Sequence, residues 1–189
     1  VALADNRQGK CSGAACPTAG VPGRVNSAVL FDGVDDSVQL NDAATLGLKK
    51  HDFTVAAWVN VNQFNGGDET ILGTDGGSTN QGLHLVIRNQ KPYLGFTGND
   101  LAGNTTLSTN TWYHVVWRYS TVSGEQTIFV NGLKDSSRIT SNGFDGSGQV
   151  SVGRWANSNF FNGRLDEVRI YQKALGDTEE AVRRLRDED

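Results

Sequence analysis

Residues 52–62 alternate strictly in character. Phe53, Val55, Ala57, Val59 and Val61 fall on one side, and Thr54, Ala56, Trp58 and Asn60 on the other. Period two sustained over this length is the signature of a β-strand, because successive side chains point to opposite faces. One such strand cannot bury its apolar face alone. It needs paired neighbours and a second layer. A second alternation sets Trp112, His114, Val116 and Arg118 against Tyr113, Val115, Trp117 and Tyr119. Shorter apolar runs occupy 28–31, 37–41, 70–73, 83–88, 93–97, 127–130, 133–135, 150–153 and 164–172. Each is bounded by Gly, Asn, Asp or Ser, and Asn131-Gly132 is the strongest two-residue hairpin signal. With 23 Gly and only 3 Pro in 189 residues, tight turns are cheap to make. We expect about ten or eleven strands with no helical pattern between them, hence an all-β sandwich of two antiparallel sheets. Residues 1–27 read as irregular. Asp177, Glu180 and the stripe Ala181, Val182 and Leu185 predict a short C-terminal helix over 177–187. One domain over 1–189 accounts for the length.

The formal net charge of −4 disfavours nucleic acid as a partner. No apolar run approaches the ~18 residues of a helical membrane span, so membrane insertion is not expected. The chain begins at Val1 and contains no Met, which leads us to expect a module excised from a larger protein with other domains. Cys11 and Cys16 enclose four residues. A local disulfide is the preferred reading and two free thiols the alternative. A disulfide points to an oxidising compartment, so to a secreted or cell-surface protein.

Several segments together resemble a known family. Residues 28–38, Ala-Val-Leu-Phe-Asp-Gly-Val-Asp-Asp-Ser-Val, look like the opening motif of laminin G-like jelly rolls of the concanavalin A-like superfamily. The segment 52–59, the Trp-Tyr-His-Val-Val of 112–116, Phe-Val-Asn-Gly at 129–132 and Gly-Arg-Leu-Asp-Glu-Val-Arg-Ile-Tyr at 163–171 follow in the family's order. The resemblance implies a concanavalin A-like jelly roll whose first and last strands lie side by side. It also implies a structural calcium bridging them, with Asp32 and Asp166 at the acidic positions and Asp35 nearby. The alternative is that Asp32 and Asp35 make Asx turns and Asp166 pairs with Arg164 or Arg169. Pentraxin relatives bind ligand through a double calcium site, with Asn80 near one ligand position. Their acidic cluster would fall at 136–140, which reads Ser-Ser-Arg-Ile-Thr and has no acid.

A sugar site needs an aromatic surface with planar hydrogen-bonding groups around it. Residues 154–162 supply Arg154, Trp155, Asn157 and Asn159 beside Phe160 and Phe161. The segment 75–81 adds Asp75, Asn80 and Gln81, and 98–104 adds Asn99, Asp100 and Asn104. Trp155, Arg154, Asn157, Asn80, Asp75 and Asn99 are the candidate ligand-binding residues. Phe160 and Phe161 are equally suited to capping the core. Laminarinase-type hydrolases of the superfamily need an E-x-D-x-x-E strand, which is absent. Adjacent Asp166 and Glu167 would point to opposite faces. His114 and Arg118 could share a face, as a polysaccharide lyase would require. The expectation is a non-catalytic extracellular module binding a glycan, with a protein-binding adhesive module and a lyase or hydrolase as alternatives.

Overall fold

In this computed structural model, residues 9–179 are described. The first sheet runs, in spatial order, β1 (Thr18–Pro22), β2 (Ser27–Asp32), β13 (Asn162–Tyr171), β4 (Phe53–Val61), β9 (Tyr113–Ser120), β10 (Glu125–Val130) and β11 (Leu133–Ile139). The second runs β3 (Val38–Asp42), β12 (Gln149–Val152), β5 (Asp68–Thr74), β6 (His84–Arg88), β7 (Lys91–Gly95) and β8 (Asp100–Ala102). Every pairing is antiparallel. The architecture is the jelly-roll sandwich expected of the sequence.

The core lies where the alternation put it. Phe53, Val55, Ala57, Val59 and Val61 face inward from β4, and Val115, Trp117 and Tyr119 from β9. They meet Ile71, Leu72, Leu85, Ile87 and Leu94 of the other sheet. The opposite set on β4 and β9 is also covered: Trp58 lies 5.2 Å from the His114 ring, with Arg24 5.0 Å from its centroid. Phe161 is fully buried edge-on to Phe31 and caps the core, whereas Phe160 is half-buried.

The N-terminal segment is not wholly irregular. A 3-10 turn at Gly13–Ala15 lies within the Cys11–Cys16 disulfide, and β1 follows as an edge strand on β2. β8 likewise forms in a segment that carries no alternating pattern. Residues 177–179 are helical, while the rest of the expected 177–187 helix lies outside the described residues.

β2 and β13 are neighbours, with Asn162 opposite Asp32 and Leu165 opposite Val29. Beyond that point β13 carries a bulge: Asp166 faces Trp58, but Arg169, not residue 168, faces Ala56. Glu167 absorbs the extra residue in the left-handed region at φ 50°. The bulge keeps both Leu165 and Val168 in the core. It leaves Asp166 beside the β1–β2 turn, where its Oδ2 accepts from the Val25 N–H at 2.8 Å.

Candidate ligand-binding site

The turn after β2 gathers three acids. Asp32 Oδ1 accepts from the N–H groups of Val34 (2.8 Å) and Asp35 (3.4 Å), an Asx turn. Asp36 Oδ2 accepts from the Asp32 N–H at 2.9 Å. One carboxylate oxygen from each of Asp32, Asp35 and Asp36 lies within 4.8 Å of the others. Burial, together with the charges of Asp32 and Asp35, raises the Asp36 pKa although the Asp32 amide opposes the shift. Three hard oxygen donors this close suit a calcium-sized cation, which would remove the repulsion that raises Asp36. Asp166, expected with Asp32 at the same ion, is not part of this group. Asp166 sits four residues along β13 from the partner of Asp32, with its carboxylate on Val25. Asp36 takes its place in the cluster.

The loop between β12 and β13 rises beside these acids. Its base is anchored by Glu69, which is 2% exposed and accepts from the Asn65 and Asn162 N–H groups at 3.1 and 3.0 Å. Burial pushes the Glu69 carboxyl up, against those two amides. On the loop, Arg154 donates to Ser151 Oγ (3.3 Å), to Asn157 Oδ1, and to Asp75 Oδ1 at 3.5 Å across 79 residues of sequence. Asp75 and Asn157 are exposed, and the Arg154 side chain is mostly buried between them. The structure therefore assembles three of the expected residues into one polar rim.

Trp155 is less free than its sequence neighbourhood suggested. One face stacks on His84, with centroids 4.4 Å apart and 23° between planes. His84 is 1% exposed, with Nδ1 2.9 Å from Gly82 O and Nε2 3.3 Å from Asp100 Oδ2. A Cβ on Gly95 would lie 1.9 Å from His84 Nε2, so only glycine leaves the ring its seat. Burial favours the neutral form of Asp100, but contact with His84, the charge of Arg88 and the Phe96 amide together outweigh it, and the Asp100 carboxyl lies below the ordinary range.

Asn80 and Asn99 lie on the other side of the 75–82 loop. Asn99 is 8% exposed, and its Nδ2 donates to Asn80 Oδ1 (3.2 Å), Thr140 Oγ1 and Asn142 O (2.5 Å). Its Oδ1 accepts from Arg138. Asn99 thus ties loops together beneath the surface, with its donors already occupied. Asn80, at φ 60°, donates its N–H to Thr97 O (3.1 Å) and accepts from the Asp145 N–H (2.8 Å). The Lys50 N–H donates to Phe144 O at 2.8 Å.

These bonds frame an open cleft of about 350 Å³ walled by Asn80, Gln81, Asn142, Asp145 and Lys50. Asp145 is held below the ordinary carboxylate range by Lys50, 3.1 Å away, and by Lys49. Tyr119 also lines the cleft, and burial followed by the charge of Asp52 raises its phenol pKa. It remains an O–H donor at neutral pH. Nothing in the sequence marked Tyr119 or Asn142: Tyr119 reads as one more inward residue of β9.

Of the lyase-like pair, Arg118 makes structural contacts. Arg118 donates to Leu175 O (2.8 Å), Asp177 (2.7 Å) and Thr127 (3.3 Å), with its guanidinium over Phe129. The guanidinium fastens the 175–177 segment to the sheet.

A family profile described as the concanavalin A-like lectin/glucanases superfamily, of laminin G type, matches residues 32–179. The chain belongs to this superfamily. No curated protein matches it closely. Among solved structures, the binding domain of Paraclostridial Mosquitocidal Protein 1 superposes with a TM-score of 0.76 at 19% identity, over 96% of this chain and 48% of that one. Domain 4 of AbnA, an extracellular arabinanase of Geobacillus stearothermophilus solved with arabinotriose, gives 0.71 at 20%, over 88% and 80%. A candidate carbohydrate-binding protein of Bacteroides ovatus gives 0.68 at 24%, over 85% and 47%. The chain thus spans about half the length of two of these three. Its structural neighbours include carbohydrate-binding domains and the binding domains of toxins. Among the described residues, no helix is long and apolar enough to cross a membrane.

Proposed function

We propose that this laminin G-like domain is a non-catalytic module of a secreted or surface protein, and that it binds glycans through the loops around Arg154. The observation that carries the reading is the rim itself. A guanidinium fixed by Ser151, Asn157 and Asp75 adjoins in the chain the half-buried Trp155, whose ring is held on His84. Pre-set planar donors and acceptors match the hydroxyl pattern of a sugar with little ordering cost on binding. The arabinotriose complex of the AbnA domain and the carbohydrate-binding description of the Bacteroides protein support a glycan as the ligand. The Cys11–Cys16 disulfide supports an extracellular setting.

A calcium ion on Asp32, Asp35 and Asp36 belongs to the same proposal, as a brace. Gly153, at the start of the binding loop, packs on Phe31 and close to the Asp36 carbonyl. An ion there would stiffen the turn on which the loop rests. The test is a glycan array with the wild-type chain and with Arg154→Ala and Asn157→Ala. Retention of a defined glycan class by the wild type and its loss in both variants is expected. An array blank for the wild type would refute glycan binding and favour a protein partner.

A further inference from the structure

The Tyr119 ring is buried to 4% exposure, against Phe53 and Phe96, but its hydroxyl is not enclosed. Among the described residues the phenolic oxygen makes no hydrogen bond, and it faces the 350 Å³ cleft. A buried tyrosine ordinarily finds a partner for its hydroxyl, because an unsatisfied polar group is costly. Here the partner position lies in the open space of the cleft. Gly143 keeps that space clear: a Cβ there would stand 2.3 Å from the Tyr119 oxygen.

The walls complete a pattern. Asn80 accepts from Asn99 through Oδ1, which leaves its Nδ2 as a donor toward the cleft. Asn142 donates through Nδ2 to Ser141 and keeps Oδ1 as an acceptor. Gln81 is exposed and offers both. The charges at the cleft balance: Lys50 and Lys49 lie 3.1 and 3.6 Å from Asp145, and Asp52, whose charge acts on Tyr119, supplies the second anion. A wall of alternating donors and acceptors without net charge fits a ligand whose every group both donates and accepts. The volume is at the small end of ligand pockets, suited to one or two rings.

We propose that this cleft is a second saccharide subsite, on the opposite side of the 75–82 loop from Arg154, in which the Tyr119 hydroxyl anchors a neutral sugar. The inference rests on the glycan-binding reading of the domain but not on the Arg154 rim. Two separate subsites would let one module hold two residues of a chain, or two chains, and gain avidity.

The experiment is a titration of the full chain with glucose, galactose and arabinose, each to about 50 mM because a few hydrogen bonds give millimolar affinity. Backbone amide NMR shifts provide the readout. At least one neutral sugar should move the amides of Asn80, Gln81, Asn142 and Asp145. Tyr119→Phe should weaken it about fivefold to tenfold while leaving the melting temperature unchanged, since no intramolecular hydrogen bond is lost. Gly143→Ala should block the site, and Gln81→Ala, an exposed position, should weaken it about threefold. Arg154→Ala should leave it intact. Sialic acid, an anionic sugar, should bind more weakly. Silence of the cleft amides toward all three sugars overturns the proposal, as does wild-type affinity in both Tyr119→Phe and Gln81→Ala, or preference for sialic acid. Shifts confined to 154–159 would overturn the subsite and leave the Arg154 reading standing. Shifts confined to the cleft would do the reverse.

Discussion

Trp155 and Tyr119 stand on either side of the 75–82 loop and are used in opposite ways. Trp155 looks like a ligand platform by sequence, flanked by Arg154 and polar residues. In the fold one of its faces lies on a buried histidine whose two nitrogens are both engaged. Tyr119 looks like core, and its ring is core, yet among the described residues its hydroxyl has no hydrogen-bond partner. The glycines differ in the same sense. Gly95 is bare so that His84 can seat itself, and Gly143 is bare so that the Tyr119 hydroxyl stays open. An aromatic ring's availability is decided by what its polar neighbours already hold, not by its setting in the chain.

The sharpest way to break this contrast is to remove the support on the tryptophan side. His84→Ala should cost about 3 kcal/mol or more, from the cavity and from the loss of one of the two partners of the Asp100 carboxylate. Urea unfolding checks it. A loss below about 0.5 kcal/mol would mean that the stack does not hold the loop. Next in size is calcium. If the three acids take the ion, stability should rise by about 2.7 kcal/mol at a hundredfold excess over the dissociation constant, and EDTA should reverse it. Asp35→Asn should abolish most of the gain, while Asp166→Asn should leave it. An equal calcium shift in Asp35→Asn would sink the site as drawn.

The pH profile should show smaller effects of opposite sign. Asp100 lies below its ordinary range when folded, so its contribution is present above that range and fades as pH falls through the depressed value. Glu69 lies above its ordinary range, so between that range and the raised value folding takes up a proton and stability declines as pH rises. Asp100→Asn should flatten the acid side of the profile and Glu69→Gln the side above it. Identical profiles for both variants and the wild type would remove these roles. The smallest stability change belongs to Tyr119→Phe, whose melt should match the wild type. A clear drop would show that its hydroxyl has a partner within the fold.

Much of the fold was legible because burial writes a period into sequence. β4 and β9 carry alternating apolar sets, and those sets form the core. β1 and β8 were not legible: they are short edge strands whose outward side chains carry no alternation. The site was legible only in part. Arg154, Asn157 and Asp75 could be named, but the contact between Arg154 and Asp75 spans 79 residues and exists only through the pairing of β12 with β5. Asp166 lies apart from the acidic turn because the register sets Asn162, four residues earlier on β13, opposite Asp32, and register between distant strands leaves no trace in composition. The fastening role of Asn99 was not legible because amide side chains look alike whether they meet a ligand or tie loops together.

The most direct single measurement is a crystal structure of the domain soaked with the glycan that the array retains. If the loop end is the binding surface, the sugar's hydroxyls will lie within hydrogen-bond distance of Arg154, Asn157 or Asp75. A glycan seated instead on the outer face of the seven-stranded sheet, with those side chains untouched, would contradict it.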